Sequence, residues 1–344
     1  MNKTLRRLAV AVIGAGLCLA PATADAAGQG KGQDKPGNYS FAVIGDIPYG
    51  QAQVEAFPHW VDQINASDPE ITFHVGDIKN GSTRCDDDYY AMVRTQFDRF
   101  TSPLVYTPGD NEWTDCHRAN NGGYNPLERL DHTREVFFPR PGRTLGQKPM
   151  SVRSQAHRGI PENVQLRQQR VSFSVIHVVG SNDGTQPWEG IGQTQPNAEQ
   201  LADQRARMEA AILQVKQTYR EATRRNDRAV VVMLQADMFD PTYDVPWKNN
   251  SAFKPLVQTL IEESTRFQGQ SYLVDGDSHV HNVDQPLAKG SKWLDFYDVE
   301  GSSDLTRITV DGSANNTDFL RFTINRPGAA EVLSWEQVPY QVKA

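Results

Sequence analysis

The chain has 344 residues, 38% of them apolar and 22% charged, with 35 Lys plus Arg against 42 Asp plus Glu. Counting the 26 glycines brings the apolar share to about 46%, an ordinary globular composition that excludes disorder, a collagen-like fibre and a multi-span membrane protein. The net charge of −7 disfavours nucleic acid and anionic membranes as partners unless a basic patch or a metal site overrides it locally.

Lys3, Arg6 and Arg7 precede an apolar run from Leu8 to Ala20 and the small-residue stretch Ala24-Asp25-Ala26. This three-part layout predicts a secretory signal peptide over residues 1–26, and the run is too short to serve as a membrane anchor. The expected destination is secreted or periplasmic. Cleavage after Ala26 leaves 32 basic and 41 acidic side chains, a net charge of −9. Cys18 departs with the signal, and Cys85 and Cys116 remain. Two thiols in an exported chain most often pair as a disulfide, with free thiols or metal ligation as the alternatives. Residues 27–38, rich in Gly, Lys, Gln and Pro, read as a flexible lead-in. Composition does not break again, so 39–344 reads as a single domain.

Near-continuous apolar runs at Tyr39–Ile44, Ile71–Val75, Pro103–Thr107, Val171–Val179, Ala229–Leu234 and Ser271–Val274 predict buried strands. A polar or acidic turn follows each: Gly45-Asp46, Gly76-Asp77, Pro108-Gly109-Asp110, Gly180-Ser181-Asn182-Asp183, Gln235-Ala236-Asp237 and Asp275-Gly276-Asp277. Helical patterns at Val54–Ile64, Tyr89–Phe100, Ala198–Arg224 and Phe253–Phe267 lie between them. Strands alternating with helices of this length predict an α/β fold on a mostly parallel sheet with helices on both faces. The runs LTRITV from Leu305 and FLRFTIN from Phe319 alternate more cleanly and predict antiparallel strands closing the fold, with a second sheet making a sandwich. Trp113–Gly146 is read as a loop.

Ligands of an open α/β sheet sit beyond the carboxyl ends of its strands. Asp46, Asp77, Asp110, Asp277 and His279 all fall there. One Gly-Asp is ordinary turn chemistry; four, each directly after a strand of one sheet, predict converging carboxylates. Their mutual repulsion is relieved most simply by a bound divalent cation.

In order, the blocks are Gly45-Asp46-Ile47-Pro48-Tyr49, Gly76-Asp77, Gly109-Asp110-Asn111-Glu112, Leu234-Gln235 and Gly276-Asp277-Ser278-His279. This series resembles the calcineurin-like metallophosphoesterases, the superfamily that includes the purple acid phosphatases. Its signature runs Asp-x-His, Gly-Asp, Gly-Asn-His-Asp/Glu, a lone His and Gly-His-x-His. The match spans about residues 41–281. Identities depart from the pattern: Pro48, Asp110, Asn111, Gln235 and Asp277 stand where His, Asn, His, His and His would be.

The resemblance implies a four-layer α/β/β/α sandwich of mostly parallel central sheets flanked by helices, and two divalent ions. One ion falls to Asp46, Asp77 and His279 with Tyr49 in place of the missing His; the other falls to Asp77, Asp110, Gln235 and Asp277. An alternative phase of the third block makes Asn111 the ligand. Such an oxygen-rich shell favours Mn, Mg, Ca or Fe over Zn. The implied activity is two-metal hydrolysis of a phosphorylated small molecule or phosphodiester, in which water attacks phosphorus in line. Asn111 occupies the position of the catalytic acid and cannot supply a proton. Either His117 or His281 replaces it, or only esters with good leaving groups react.

Arg140 to Arg170 carry seven basic residues against Glu162 alone. Arg153 and Arg158 in this stretch are candidates for steering an anionic substrate; the alternative is a solvated loop or hairpin. His74, inside a strand, reads as a core histidine. The two cysteines follow Asp77 and Asp110, so a bridge would tie two ligand-bearing loops. Gly180-Ser181-Asn182-Asp183 and Gly276-Asp277-Ser278 echo two blocks of the SGNH esterases, but in reversed order, which sets that reading aside. The loss of imidazoles also admits a non-catalytic metal- or phosphate-binding protein on a degenerate scaffold.

Overall fold

A computed structural model describes residues 39–341. The signal peptide, Cys18 and the lead-in lie outside the described residues. The first sheet is built from β1 (Tyr39–Ile44), β2 (Ile71–His74), β3 (Leu104–Tyr106), β11 (Asp318–Ile324) and β12 (Leu333–Pro339), in the order β12-β11-β1-β2-β3. The strands of the second are β4 (Arg153–Gln155), β5 (Ile160–Gln168), β6 (Val171–Val175), β7 (Ala229–Met233), β8 (Gln270–Asp275), β9 (Asn282–Asp284) and β10 (Thr306–Thr309). Their order is β4-β5-β6-β7-β8-β10-β9. β1, β2 and β3 run parallel, as do β6, β7, β8 and β10.

The unbroken apolar runs follow from covering both faces of each sheet. Phe41 and Val43 of β1 point into the space between the sheets, where they meet Phe173, Val231 and Phe322. Ala42 and Ile44, one residue out of phase, point the other way onto helices Gly50–Ala66 and Asp87–Phe97 through Phe57, Val61, Tyr90 and Val93. The second sheet does the same: Val231 faces inward, while Val230 and Val232 meet Met208, Val215 and Leu260 of helices Ala198–Arg224 and Lys254–Arg266. Each fully buried side chain of this size contributes about 2 kcal/mol. Helix, sheet, sheet and helix are therefore stacked around three apolar layers, the four-layer α/β/β/α sandwich.

Three elements depart from expectation. β10, expected antiparallel, runs parallel to β8 and only its other edge, with β9, is antiparallel; β11 is antiparallel to β1 as expected. β6 stops at Val175, short of Val179, because Ile176 and Val178 leave the sheet for the helical layer. The segment Trp113–Gly146, read as a loop, contains helix Pro126–Phe137; Asn125 caps it by accepting from the Leu127 N–H, and Pro126 occupies its first turn.

The basic stretch is a hairpin, β4 against β5, on the edge of the second sheet. Parallel strands need crossover connections, so β1, β2, β3, β6, β7 and β8 all deliver their C-terminal ends to one side of the sandwich.

Candidate metal centre

That side gathers the acidic turns. Asp46 follows β1, Asp77 follows β2, Asp110 and Asn111 follow β3, Gln235 follows β7, and Asp277 and His279 follow β8. Ligand atoms of Asp46, Asp77 and His279 lie within 4.8 Å of one another, as do those of Asp77, Asp110 and Asp277. Asp77 belongs to both groups. The turns are tight enough to force left-handed backbone at Asp46, Asp77, Asp277 and His279, with φ of 55°, 59°, 70° and 62°. Aspartate tolerates this region better than most residues. Gly109 is required by packing: a Cβ there would sit 2.1 Å from Asp77 Oδ1.

Asp77 is held by four donors. The Asn111 N–H donates to Oδ1 at 3.0 Å, and Oδ2 accepts from Asn111 Nδ2 at 2.8 Å, Tyr49 Oη at 2.9 Å and Gln235 Nε2 at 3.2 Å. Gln235 Oε1 accepts from the Gly180 N–H at 2.7 Å, which fixes the amide with its nitrogen toward the carboxylates. In this orientation Gln235 braces Asp77 through Nε2 and commits its oxygen to the Gly180 N–H. Asn111 likewise turns its Nδ2 toward Asp77 and Tyr49.

Burial, then the charges of Asp110, Glu112 and Asp46, push the Asp77 carboxyl well above the usual range; burial, then Asp110 and Asp46, does the same to Asp277. Burial and the nearby Asp77 also raise the Tyr49 phenol. His279 is pulled in both directions. Burial disfavours its charge, but the hydrogen bond and charge of Asp46, 3.4 Å away, outweigh burial and raise its pKa. No lysine or arginine forms an ion pair with Asp77, Asp110 or Asp277 among the described residues. A concentrated set of carboxylate oxygens with one imidazole and no paired cation fits hard divalent ions.

Several residues of the site escaped the sequence reading. Glu112 is buried and its Oε1 accepts from the Asp77 N–H, the Gly109 N–H and Tyr106 Oη at 3.2, 2.7 and 2.6 Å, tying the second and third turns together. Its place at the end of the third block was the available signal. Lys79, also buried, donates to the carbonyls of Asn80 and Asn111 at 3.0 and 2.7 Å, and burial lowers its pKa to about 8. Gly180–Gly184 forms one left-handed turn, with φ of 54°, 57° and 54° at Ser181, Asn182 and Asp183. Such backbone costs about 1 to 2 kcal/mol per residue and persists only where its surroundings hold it. It brings Ser181 Oγ to 2.6 Å from Asp110 Oδ2, and it leaves no room for a Cβ on Gly180, which would lie 2.8 Å from both Asp110 and Asp277. These are the residues whose esterase echo was set aside; they reach the site by packing alone.

Other candidates lie elsewhere. His117 Nδ1 accepts from the Gly190 N–H at 3.0 Å, and burial, then Arg118, lowers its pKa to about 4, so it carries no proton to give near neutral pH. His281 Nδ1 is directed to the Thr309 carbonyl at 2.8 Å. Neither contacts the carboxylates, because each ring is drawn to a backbone group away from them. Arg153 pairs with Glu221 on helix Ala198–Arg224 at 2.7 Å, and Arg158 sits in the exposed turn between β4 and β5. The hairpin points its charges at the neighbouring helix and solvent, so Arg153 and Arg158 lack the expected contact with the site. Cys85 and Cys116 form a disulfide across a separation of 31 residues. His74 is a core histidine whose Nε2 lies 3.0 Å from the Ile47 carbonyl. No helix among the described residues is long and apolar enough to cross a membrane.

No family model and no curated protein matches the sequence. Among solved structures, the chain is similar to a dimetal phosphatase from Danio rerio. The TM-score is 0.55 and the identity 10%, over 88% of this chain and 99% of that one. A purple acid phosphatase from yellow lupin has a TM-score of 0.42 at 12% identity, over 88% of this chain and 52% of that one. GAP50, the anchor in the inner membrane complex of Plasmodium, has a TM-score of 0.44 at 11% identity, over 89% and 90%.

Proposed function

We propose that this chain, which has the fold of the calcineurin-like metallophosphoesterases, is an exported phosphoester hydrolase that works with two divalent ions. The observation that carries the reading is the pair of overlapping ligand groups sharing Asp77 at the C-terminal ends of the parallel strands. Asp46, Asp77 and His279, with the Tyr49 hydroxyl beside them, would hold one ion; Asp77, Asp110 and Asp277 would hold the other. Mn, Mg, Ca or Fe suits this oxygen-rich set better than Zn. Bound there, the ions would supply Lewis acidity, lowering the pKa of water and offsetting the charge that gathers on the phosphoryl oxygens.

The chain's own residues do the positioning. Asn111, Gln235 and Tyr49 fix the Asp77 carboxylate from three directions, Ser181 fixes Asp110, and Glu112 locks the turns that bear them. Export is supported by the signal-like N-terminus and by the disulfide. The substrate class is a phosphorylated small molecule or a phosphodiester.

The test is metal analysis of the purified mature protein, followed by turnover of aryl phosphate mono- and diesters with Mn, Mg, Ca, Fe or Zn. Two ions per chain and hydrolysis lost in Asp77→Asn are expected. Hydrolysis that survives this substitution, or none with any ion, overturns the reading. One ion per chain with phosphate binding and no hydrolysis would instead mark a degenerate binding protein, the reading favoured by the amides of Asn111 and Gln235 at two imidazole positions.

A further inference from the structure

Resting on the two-ion reading of the strand-end carboxylates, we infer that Arg207 and Asp183 are positioning residues for the second ion, the one assigned to Asp77, Asp110 and Asp277. They act through the left-handed turn Gly180–Gly184, which Arg207 clamps from the side away from the site.

The turn has two faces. Toward the site, the Gly180 N–H donates to Gln235 Oε1 at 2.7 Å, and Ser181 Oγ donates to Asp110 Oδ2 at 2.6 Å. Gln235 Nε2 in turn reaches Asp110 Oδ1 at 3.4 Å and Asp77 Oδ2 at 3.2 Å. On the other face lies helix Ala198–Arg224. From it, Arg207 Nη1 donates to Asp183 Oδ1 at 2.6 Å and Nη2 to the Asp183 carbonyl at 2.8 Å. Gln204 Nε2 donates to Asp183 Oδ2 at 3.0 Å, and Gln200 Nε2 to the Gly184 carbonyl at 2.7 Å. Arg207 is itself fixed: it is 1% exposed, its Cζ lies 4.9 Å from the Trp113 ring centroid, and its Nε donates to Asp203 at 2.8 Å.

L-residues enter the left-handed region singly and not in runs. Ser181, Asn182 and Asp183 therefore stay there only because they are held. The Ala252 N–H, donating to Asn182 Oδ1 at 2.9 Å, pins the middle of the turn. Its far end is held by a buried guanidinium fork that bonds both the carboxylate and the carbonyl of Asp183, an arrangement only arginine supplies. Without that fork the turn relaxes toward right-handed backbone, which carries Ser181 Oγ off Asp110 and the Gly180 N–H off Gln235.

The two ion sites depend on this turn unequally. Among the described residues, the Asp110 carboxylate accepts from two side chains, Ser181 and Gln235, and the turn holds both. Asp46, in the first group, bonds the Asp277 N–H at 3.1 Å and lies 3.4 Å from His279. The shared Asp77 keeps its donors from Asn111 and Tyr49, which the turn does not touch. Hydrogen bonds that orient a metal-binding carboxylate are commonly worth ten- to a hundredfold in metal affinity. Loss of the clamp should then fall on the second ion and spare the first.

The experiment titrates metal-free wild-type protein, Arg207→Ala, Ser181→Ala and Asp203→Asn with Mn2+, followed by calorimetry and electron paramagnetic resonance. Wild-type protein is expected to take two ions and give the spectrum of a magnetically coupled pair. Arg207→Ala is expected to hold the first ion at wild-type affinity and the second at least tenfold more weakly. At Mn2+ concentrations that fill both wild-type sites, it should give the spectrum of an isolated ion. Ser181→Ala removes the last link without leaving a buried charge unpaired; it carries the same expectation and decides the matter if Arg207→Ala does not fold. Asp203→Asn, which touches Arg207 but not the turn, is expected to bind both ions as wild-type protein does. Equal weakening of both ions, a second ion held at wild-type affinity by either of the first two variants, or the same loss in Asp203→Asn overturns the inference and leaves the two-ion reading standing. Wild-type protein that takes fewer than two ions, with Mn2+ or with Mg2+, Ca2+ or Fe2+ in its place, overturns both.

Discussion

Glu162, Asp183, Asp227 and Asp237 are buried, as are Asp46, Asp77 and Asp110, yet the two sets are treated in opposite ways. Glu162 closes on Arg134 and His177, Asp183 on Arg207, Asp227 on Arg167 and Asp237 on Arg307. In the strand-end set, among the described residues, only Asp46 has a basic partner, His279. Burying a carboxylate is costly unless its charge is compensated. The first set is compensated within the fold. The second leaves Asp77 and Asp110 without a basic partner among the described residues, which is the arrangement expected of a cation site and not of a core.

Experiments can break or sharpen this contrast. The largest effect belongs to the disulfide, which ties the loop after Asp77 to the loop after Asp110. Replacing Cys85 and Cys116 with serine is expected to cost about 3 to 4 kcal/mol in denaturant titrations, since the cross-link restricts a loop of 31 residues in the unfolded chain. Metal affinity should fall with it.

Glu162→Gln comes next, at roughly 3 kcal/mol, because it leaves Arg134 and His177 without their shared partner. Burial alone would raise the Glu162 pKa, but Arg134 and His177 outweigh it and hold it at about 2. The folded value is below the unfolded one of about 4.3. The stabilisation is therefore complete above the unfolded pKa and is lost as pH falls toward 2. Stability curves between pH 6 and pH 2 should be steeper for wild-type protein than for the variant.

Asp277→Asn should have the opposite sign. In excess chelator it removes one of several mutually repelling carboxylates, and the metal-free protein is expected to gain about 1 kcal/mol. Loss of stability in chelator would show that Asp277 is compensated within the fold after all. The smallest effect is that of Arg153→Ala: its exposed pair with Glu221 is worth less than about 1 kcal/mol, and KM for an aryl phosphate should not change.

The strands, their order along the chain and the acidic turns were legible because each rests on local signals. An apolar run ending in Gly-Asp reports a buried strand and its exit whatever surrounds it. Helix Pro126–Phe137 was legible in principle, through Asn125 and Pro126 at its start, but its polar surface hides the periodicity. The amphipathic run from Leu305 alternated cleanly, yet alternation does not distinguish a parallel neighbour from an antiparallel one, and β10 took β8.

The sequence by itself therefore determined the strand–helix alternation, the disulfide candidates and the carboxylates at the strand ends. Tertiary structure alone decided which side chains face them. Gln235 turns its nitrogen inward because the Gly180 N–H claims its oxygen, and Ser181 reaches Asp110 through a left-handed turn held from outside. Arg118 is claimed by Asp115, and Arg153 by a helix. Each outcome depends on partners distant in the chain and on competition for a single hydrogen-bonding atom. Spacing carries no record of that competition.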